Sequence, residues 1–318
     1  MNLNAHAIVT LCSHMCVGEG VVPLEPKEWG ALAKRLMEKQ LLPSDLFGFS
    51  ETEMKEQLQL GSDQAQRLAR LLDRSASLSF EMSQYENMGI YVITRADELY
   101  PKRLKKILGN QCPPLFYYAG NLELLDRQSV GYAGSRTVGE EDIAFTKQTV
   151  RKTVEQGFGV VSGGAKGIDS IAESEALSCG SSAIAYLSDS MLRKMKSSAV
   201  IRPVQDGKLV LLSVVKPDAG FQAGIAMMRN RYVYAQSNAV VVVRSDYSKG
   251  GTWSGAVDNL KHGWCPEFCW NQKQYPGNKA LIQQGAYPID DQWDGDILSE
   301  RYQEKGQELE QMSLFDFS

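Results

Sequence analysis

The sequence predicts a doubly wound α/β fold: an extended, Rossmann-like and mostly parallel sheet, with a small helical domain before it. From about residue 88, strand-like and helix-like segments alternate along the chain, as in parallel sheets with helical crossovers. The strand-like segments are near-continuous apolar runs such as Ala239–Val243, which suit strands buried on both faces. Nine of the 28 glycines fall within residues 131–180, and two glycine clusters directly follow predicted strands.

The elements can be placed in order along the chain. Residues 1–85 read as short helices, because Trp29, Leu32 and Leu36 recur at helical spacing and Gly61 separates two such segments. Strands are predicted at 90–94, 115–118, 130–133, 159–162, 183–187, 209–214, 239–243 and 267–270, and helices near 140–156, 167–179, 222–236 and 252–262. The last 40 or so residues are polar and acidic, and we expect a linker and tail there.

Charge is distributed unevenly along the chain. The net charge is −4, but residues 281–318 carry nine acidic and two basic side chains, whereas residues 190–244 carry nine basic and two acidic ones. Local sign decides whether a surface attracts a polyanion, so the basic stretch is either a nucleic-acid contact or an ordinary solvated face.

Composition disfavours secretion, membrane insertion and catalysis at a metal or triad. The six cysteines are too sparse for a disulfide scaffold, no secretory signal is recognisable, and no apolar run reaches about 18 residues. We therefore expect a cytoplasmic protein. With three histidines and with cysteines in apolar stretches, we expect no metal site, no cofactor and no enzymatic activity.

Three glycine-rich turns that follow predicted strands, and one arginine-rich element just before the predicted strand 239–243, suit phosphate. Glycine lets backbone N–H groups approach an anion, the next helix N-terminus adds positive charge, and nearby cations add more. Arg229, Asn230 and Arg231 would supply planar donors for phosphates and an amide able to read a base. The residues predicted to bind DNA phosphates are Gly134, Ser135, Arg136, Ser162, Gly163, Gly164, Lys166, Gly167, Lys194, Lys196, Arg229, Asn230, Arg231 and Lys249. Tight turns without a ligand are the simpler alternative.

Two familiar nucleotide signatures are absent. There is no G-x-x-x-x-G-K-[ST] sequence and no G-x-G-x-x-G opening the first helix of the predicted sheet, which disfavours a P-loop nucleotidase and a nicotinamide or flavin site.

Residues 88–270 resemble the DNA-processing protein A (DprA/Smf) family. The resemblance is carried by Tyr100–Leu104, Gly134–Arg136, the loop Ser162–Asp169, Arg229–Arg231 and the turn Ser248–Thr252, in that order. It implies a helical domain of the SAM or helix-hairpin-helix kind at 1–85 and a Rossmann-like domain at 86–272, and composition adds an acidic linker and tail at 273–318. It does not extend to the C-terminal winged helix of many members.

The resemblance also implies a function. Family members bind single-stranded DNA and pass it to RecA during DNA uptake, natural transformation and recombination, and they form dimers. By family position, Arg136, the loop 162–167 and Arg229–Arg231 would line the phosphate pocket, with Lys194 and Lys196 in a loosely aligned lysine region. This chain is a divergent member, since it has Glu173 where the family usually has His and Arg244 where an acidic residue is usual.

A short motif near the end of the sequence suggests a second partner. Gln311, Met312, Ser313, Leu314 and Phe315 resemble the pentapeptide that binds the bacterial sliding clamp. A polar tail would present Leu314 and Phe315 to a hydrophobic groove. The alternative is an apolar end that folds back on the body.

The leading hypothesis is therefore a non-enzymatic single-stranded DNA-binding protein. One alternative is a sensor of a nucleotide-derived ligand that uses the same turns. A second is a nucleotide phosphoribohydrolase, which shares a Gly-Gly-Thr turn with Gly250–Thr252 but needs a glutamate just after it, where this chain has Trp253.

Overall fold

The computed structural model describes residues 1–18 and 20–297. The helices are α1 (Leu3–Cys12), α2 (Pro26–Glu38), α3 (Glu51–Leu58), α4 (Ser62–Leu72), α5 (Ser75–Glu86), α6 (Lys102–Leu108), α7 (Glu140–Glu155), α8 (Ile168–Ser178), α9 (Met191–Met195), α10 (Ser198–Gln205), α11 (Ala223–Gln236), α12 (Gly250–His262) and α13 (Pro276–Gln283). The strands are β1 (Tyr91–Thr94), β2 (Leu115–Gly120), β3 (Ser129–Ala133), β4 (Gly159–Ser162), β5 (Ala183–Leu187), β6 (Leu209–Ser213), β7 (Ala239–Val242), β8 (Glu267–Trp270) and β9 (Tyr287–Ile289). Short 3-10 helices span Pro43–Gly48, Gly109–Gln111 and Leu122–Asp126. No helix in these described ranges is long and apolar enough to cross a membrane.

The chain divides into two compact units. The first comprises Met1–Ala119 with the segments Ser190–Leu192 and Leu212–Ala219, and the second comprises Gly120–Asp189, Arg193–Leu211 and residues 220–297. The first unit contains α1 to α6 and the antiparallel pair of β1 and β2, in which Tyr91 is opposite Tyr118.

A buried arginine holds the helices of the first unit together. The guanidinium of Arg74 donates to the carbonyl oxygens of Thr10 at 3.0 Å, Ser13 at 2.8 Å and Met15 at 2.7 Å. These carbonyls lie at or just beyond the end of α1, where the last C=O groups of a helix lack intrahelical partners. The side chain of Arg74 therefore supplies donors that the helix itself cannot.

The second unit is the doubly wound sheet that the sequence predicts. Its strands lie in the order β6-β5-β4-β3-β7-β8-β9, and β3 pairs in parallel with both β4 and β7. The strands β4, β5 and β7 are buried along their whole length, as expected when helices cover both faces of a sheet. Strand order reverses at β3, so a crevice opens at the carboxyl ends of β3, β4 and β7, where such folds bind ligands.

Residues 276–289 differ from the expected linker. They form α13 and β9, and β9 extends the sheet in parallel with β8. Pro276 starts α13 at a position where proline needs no partner for its missing N–H, and Leu281 and Ile289 are buried. The sequence did not reveal this element, because Tyr287–Ile289 is too short to show strand periodicity and the residues that follow it are acidic.

Candidate nucleic-acid interface

A cleft of about 480 Å³ opens in the second unit where the carboxyl ends of β3, β4 and β7 meet. We call it the strand-end cleft. Arg136 reaches it from the loop after β3, Arg229 from α11 and Arg244 from the segment after β7. Asp169 and Asp246 are its acidic lining residues among those described.

Half of the predicted phosphate-binding residues line this cleft. Those that line it are Gly134, Ser135, Arg136, Gly163, Arg229, Asn230 and Lys249. Those that do not are Ser162, Gly164, Lys166, Gly167, Lys194, Lys196 and Arg231. The structure thus brings together the predicted residues of the first loop, α11 and the turn before α12, but only one glycine of the second loop.

Backbone N–H groups of the glycine loop after β4 bind side chains of the chain itself. The carboxylate Oδ2 of Asp169 accepts the backbone N–H groups of Gly163 at 3.1 Å and of Ala165 at 3.2 Å. The hydroxyl Oγ of Ser162 accepts the N–H of Gly164 at 3.0 Å. The backbone donors that the sequence assigned to a ligand phosphate therefore already bind the chain's own side chains.

Other parts of this loop serve packing. Gly167 has φ +81°, and an added Cβ would lie 2.3 Å from the carbonyl oxygen of Ser135. Lys194 donates to the carbonyl oxygen of Gly164, and Ser162 donates to the carboxylate of Glu173. Burial raises the pKa of Glu173, and the charge of Lys194 opposes that rise. Glu173, at the position where His is usual, thus stabilises the loop rather than facing the cleft.

Arg229 provides the positive charge at the bottom of the cleft. Its side chain is 6% exposed, and its guanidinium occupies the space that a side chain at residue 163 would fill, since a Cβ on Gly163 would lie 1.3 Å from Nη1. Its nearest counter-charge is Oδ2 of Asp169, 3.9 Å from Nη1, which is beyond hydrogen-bonding distance. Nε of Arg229 is buried and has no hydrogen-bond partner among residues 1–18 and 20–297.

Burial disfavours the charged forms of both Arg229 and Asp169. It lowers the pKa of Arg229, and it raises the pKa of Asp169, whose partners Arg229 and the two loop amides oppose that rise. Both shifts oppose the charged state, so the pair compensates only part of the cost of desolvation. An anion entering the cleft beside Arg229 would supply the missing compensation.

Two hydrogen bonds connect the start of α12 to α11 and to the loop after β3. Nδ2 of Asn230 donates to the carbonyl oxygen of Gly251 at 2.7 Å, and Oγ1 of Thr252 donates to that of Gly134 at 3.0 Å. The side-chain N–H that the sequence assigned to reading a base is therefore used to hold this turn.

The cleft lining also carries Arg136 and the exposed ring of Phe221, and a second exposed ring, Tyr247, follows the lining residue Asp246 in the sequence. The guanidinium of Arg136 lies 5.2 Å from the ring centre of Phe221, which is 51% exposed. Tyr247 is 57% exposed and packs edge-on against Trp253 at 5.0 Å between ring centres. Exposed rings beside cations suit unstacked bases next to their phosphates.

Arg244 is the lining cation that sequence reasoning left out of the site. Its Nη1 donates to Oδ2 of Asp142 at 3.2 Å, and its guanidinium lies 5.4 Å from the ring centre of Tyr275. The hydroxyl of Tyr275 donates in turn to Oδ1 of Asp142 at 2.5 Å. Its place directly after the AVVVV strand was the available signal, because that position lies at the carboxyl edge of the sheet.

The fold and the cleft together define a doubly wound α/β protein with an arginine-lined cleft at the reversal point of its sheet. A model of the family described as "DNA recombination-mediator protein A" matches residues 91–300 of this chain. That match covers more than half of the sequence, and the chain belongs to this family.

Two relatives support the assignment over shorter stretches. The "Protein Smf" of Synechocystis sp. is 27% identical over 181 residues, which cover 53% of this chain and 43% of that protein. The "DNA processing protein DprA" of Streptococcus pneumoniae is 35% identical over 112 residues, which cover 35% of this chain and 37% of that protein. The matches thus span about two fifths of each relative's length.

Two solved structures share the fold. DNA processing protein A from Streptococcus pneumoniae superposes with a TM-score of 0.63 at 20% identity, covering 84% of this chain and 95% of that one. DNA processing protein A from Helicobacter pylori, solved in a study of its single-stranded DNA binding mode, superposes with a TM-score of 0.51 at 24% identity, covering 70% of this chain and 96% of that one.

Proposed function

We propose that this chain binds single-stranded DNA in the strand-end cleft and acts by binding rather than by catalysis. The observation that carries the proposal is the Arg229 guanidinium, which is buried, has an Nε without a hydrogen-bond partner among the described residues, and lies 3.9 Å from the carboxylate of Asp169. Family membership and the relative whose structure was solved for its single-stranded DNA binding mode support the choice of ligand.

The cations at the bottom and at the rim of the cleft would contact different phosphates. Arg229, at the bottom of the cleft, would donate charge-assisted hydrogen bonds to one phosphate, where low dielectric strengthens them. Arg136, Arg244 and Lys249, at the rim, would contact neighbouring phosphates, and Phe221 and Tyr247 would stack on bases. The expected binding is largely independent of base sequence, because its donors face phosphates.

Fluorescence anisotropy of labelled oligo-dT across a range of salt concentrations tests this proposal. We expect Arg136→Ala to lower the magnitude of the log–log salt slope by about 0.7, since one phosphate contact is lost. Arg127→Ala is the matched control, because Arg127 is exposed in the same unit and does not line the cleft. Equal slopes for the three proteins would refute the phosphate assignment. Saturation by a mononucleotide, with no gain from a longer oligonucleotide, would indicate a small nucleotide ligand instead.

RecA is the protein partner that we propose for the DNA-bound form. A cleft whose cations hold phosphates would leave accessible to RecA those bases that do not stack on its aromatic rings. Strand-exchange assays with RecA on DNA coated by a single-strand-binding protein should show stimulation by wild type and little by Arg229→Ala. Full stimulation by that variant would show that RecA delivery does not depend on Arg229 in the cleft, and would refute this part of the proposal.

The sliding clamp is the second partner that we propose, on sequence alone, because Gln311–Phe315 lies outside the described residues. Surface plasmon resonance with an immobilised bacterial clamp should show binding by the full chain, and Leu314→Ala/Phe315→Ala should abolish it. Asp316→Ala, beside the motif, is the control and should bind normally. Equal binding by all three proteins would refute the motif.

A further inference from the structure

A second large cleft lies wholly within the first unit. It has a volume of about 780 Å³, and we call it the helical-unit cleft. Its walls are α2, the turn after β1, α6 and the short 3-10 helix Gly109–Gln111. Gly30 of α2 faces Asn110 across this cleft, and a Cβ at residue 30 would make an ordinary van der Waals contact with Oδ1 of Asn110 at 3.7 Å.

The charged residues of this cleft all have the same sign. Lys27, Lys34, Arg95 and Lys105 line it, and no acidic residue in the described part of the chain does. The chain has more acidic than basic side chains overall, so a lining of four cations departs from its composition. A neighbouring cleft of the same unit shows the contrast, because there Arg67 and Arg70 face Glu25, Glu28 and Asp63.

These cations are available to a ligand. Within residues 1–18 and 20–297, Lys27, Arg95 and Lys105 make no ion pair. Lys34 is 3.9 Å from Glu38, and both side chains are mostly exposed, at 74% and 58%. Such an exposed pair contributes little, so an anion entering the cleft would displace no strong partner.

We propose that the helical-unit cleft is a second nucleic-acid site, which binds the phosphodiester backbone. Its cations come from three separate segments around one groove, and this arrangement suits a row of anions better than a single one. The amides of Asn110 and Gln111 add hydrogen-bonding groups on the same wall. Its aromatic lining residue, Trp29, is 3% exposed, so the cleft offers no free ring for stacking on a base. Binding there is therefore directed to the backbone and independent of sequence.

Lysine footprinting on the full chain tests this proposal. The protein is acetylated with and without saturating oligo-dT, and modification is read by mass spectrometry. We expect DNA to protect Lys27, Lys34 and Lys105 several-fold and to leave Lys55 unprotected, since Lys55 belongs to the same unit but does not line the cleft. The same protection should persist in Arg229→Ala at saturating DNA, which separates this site from the strand-end cleft. Equal modification with and without DNA would overturn the proposal.

A matched pair of double variants adds a quantitative readout. Arg95→Gln/Lys105→Gln removes two cations from the cleft, whereas Lys55→Gln/Arg70→Gln removes two from elsewhere on the same unit. We expect the first pair alone to lower the magnitude of the salt slope, by about 1.4 for two lost contacts on a single strand. An equal effect of both pairs on the salt slope would mean that only the overall charge of the protein matters, and would contradict a binding site in this cleft.

The acidic end of the chain is the competing anionic occupant. Residues 281–318 carry nine acidic side chains, and a chain ending at residue 297 removes five of them. If the cleft lysines are protected in the full chain without DNA and become reactive in the shortened chain, the tail occupies the cleft and the nucleic-acid proposal is wrong. Unchanged reactivity without DNA supports the proposal.

Discussion

Replacing Gly163 by alanine should disable Arg229 without removing it. The added methyl carbon would lie 1.3 Å from Nη1 and 2.0 Å from Cζ of Arg229, so the guanidinium must leave its position. The backbone of Gly163 is not in the left-handed region, and its N–H can still reach Asp169. Because the atom in the way is the far end of a flexible side chain, we expect the fold to survive.

The expected loss of DNA affinity follows from the bond that Arg229 would make. A hydrogen bond to a charged group contributes about 1.5–3 kcal/mol, which corresponds to a roughly ten- to hundredfold rise in Kd. Fluorescence anisotropy with oligo-dT measures it, and thermal melting checks that the protein is folded. Gly224→Ala is the matched control, since Gly224 lies on the same helix as Arg229 and an added Cβ there meets no atom within 4 Å.

A double-mutant cycle tests the mechanism itself. Arg229→Ala empties the space beside residue 163, so adding Gly163→Ala to it should cost no further affinity. The reasoning fails if Gly163→Ala binds like wild type. It also fails if the two single losses add in the double variant, because the methyl group would then act by a route other than Arg229.

Three further predictions concern stability. Burial raises the pKa of Glu267 to about 8, so the folded protein keeps a proton that the unfolded chain releases near pH 4.5. The free energy of unfolding should therefore fall by about 1.4 kcal/mol per pH unit from pH 5 to pH 8. Denaturant unfolding across that range should show this slope in wild type and a flatter one in Glu267→Gln. Arg74→Lys should lower the free energy of unfolding by about 3 kcal/mol or more, because an ammonium group cannot reach all the carbonyl oxygens that the guanidinium contacts. A urea midpoint equal to that of wild type would contradict this. Gly131→Ala should cost about 1–3 kcal/mol, since its Cβ would lie 2.6 Å from Cγ2 of Val240 in the sheet, and thermal melting beside Gly224→Ala tests whether this crowding matters.

The sequence was sufficient for strands β1 to β8 and for helices α7, α8, α11 and α12, whereas α9 and α10 between β5 and β6 were not predicted. Apolar runs such as Ala239–Val243 and the helical spacing before them place strands and helices to within a few residues, because burial on both faces demands a continuous pattern. It failed for 276–289, where a three-residue strand is too short for a pattern and its acidic surroundings suggest a linker. The predicted domain boundaries at 85 and 272 stay predictions.

The sequence predicted the position of the cleft, but not the hydrogen bonds that its loops make. Two glycine clusters after adjacent strands correctly indicated the carboxyl edge of the sheet, because topology alone brings strand ends together. Whether a loop N–H group faces a ligand or a neighbouring carboxylate depends on side-chain conformation, and Asp169 takes the donors of Gly163 and Ala165. Arg244 was left out for the same reason, since its orientation depends on Asp142 and Tyr275, which are distant in sequence.

The Asp169 carboxylate in the glycine loop has a consequence for the kind of phosphate that the strand-end cleft accepts. A cup of free amides wraps around the three oxygens of a terminal phosphate and so favours chain ends or free nucleotides. Here that cup is filled, and recognition is left to guanidinium and ammonium groups approaching from the bottom and the rim. Two exposed oxygens on a phosphodiester satisfy such groups as well as three do. If the strand-end cleft binds DNA as proposed, a closed circle of single-stranded DNA should therefore bind as tightly as a linear strand of equal length, and binding would need no free end.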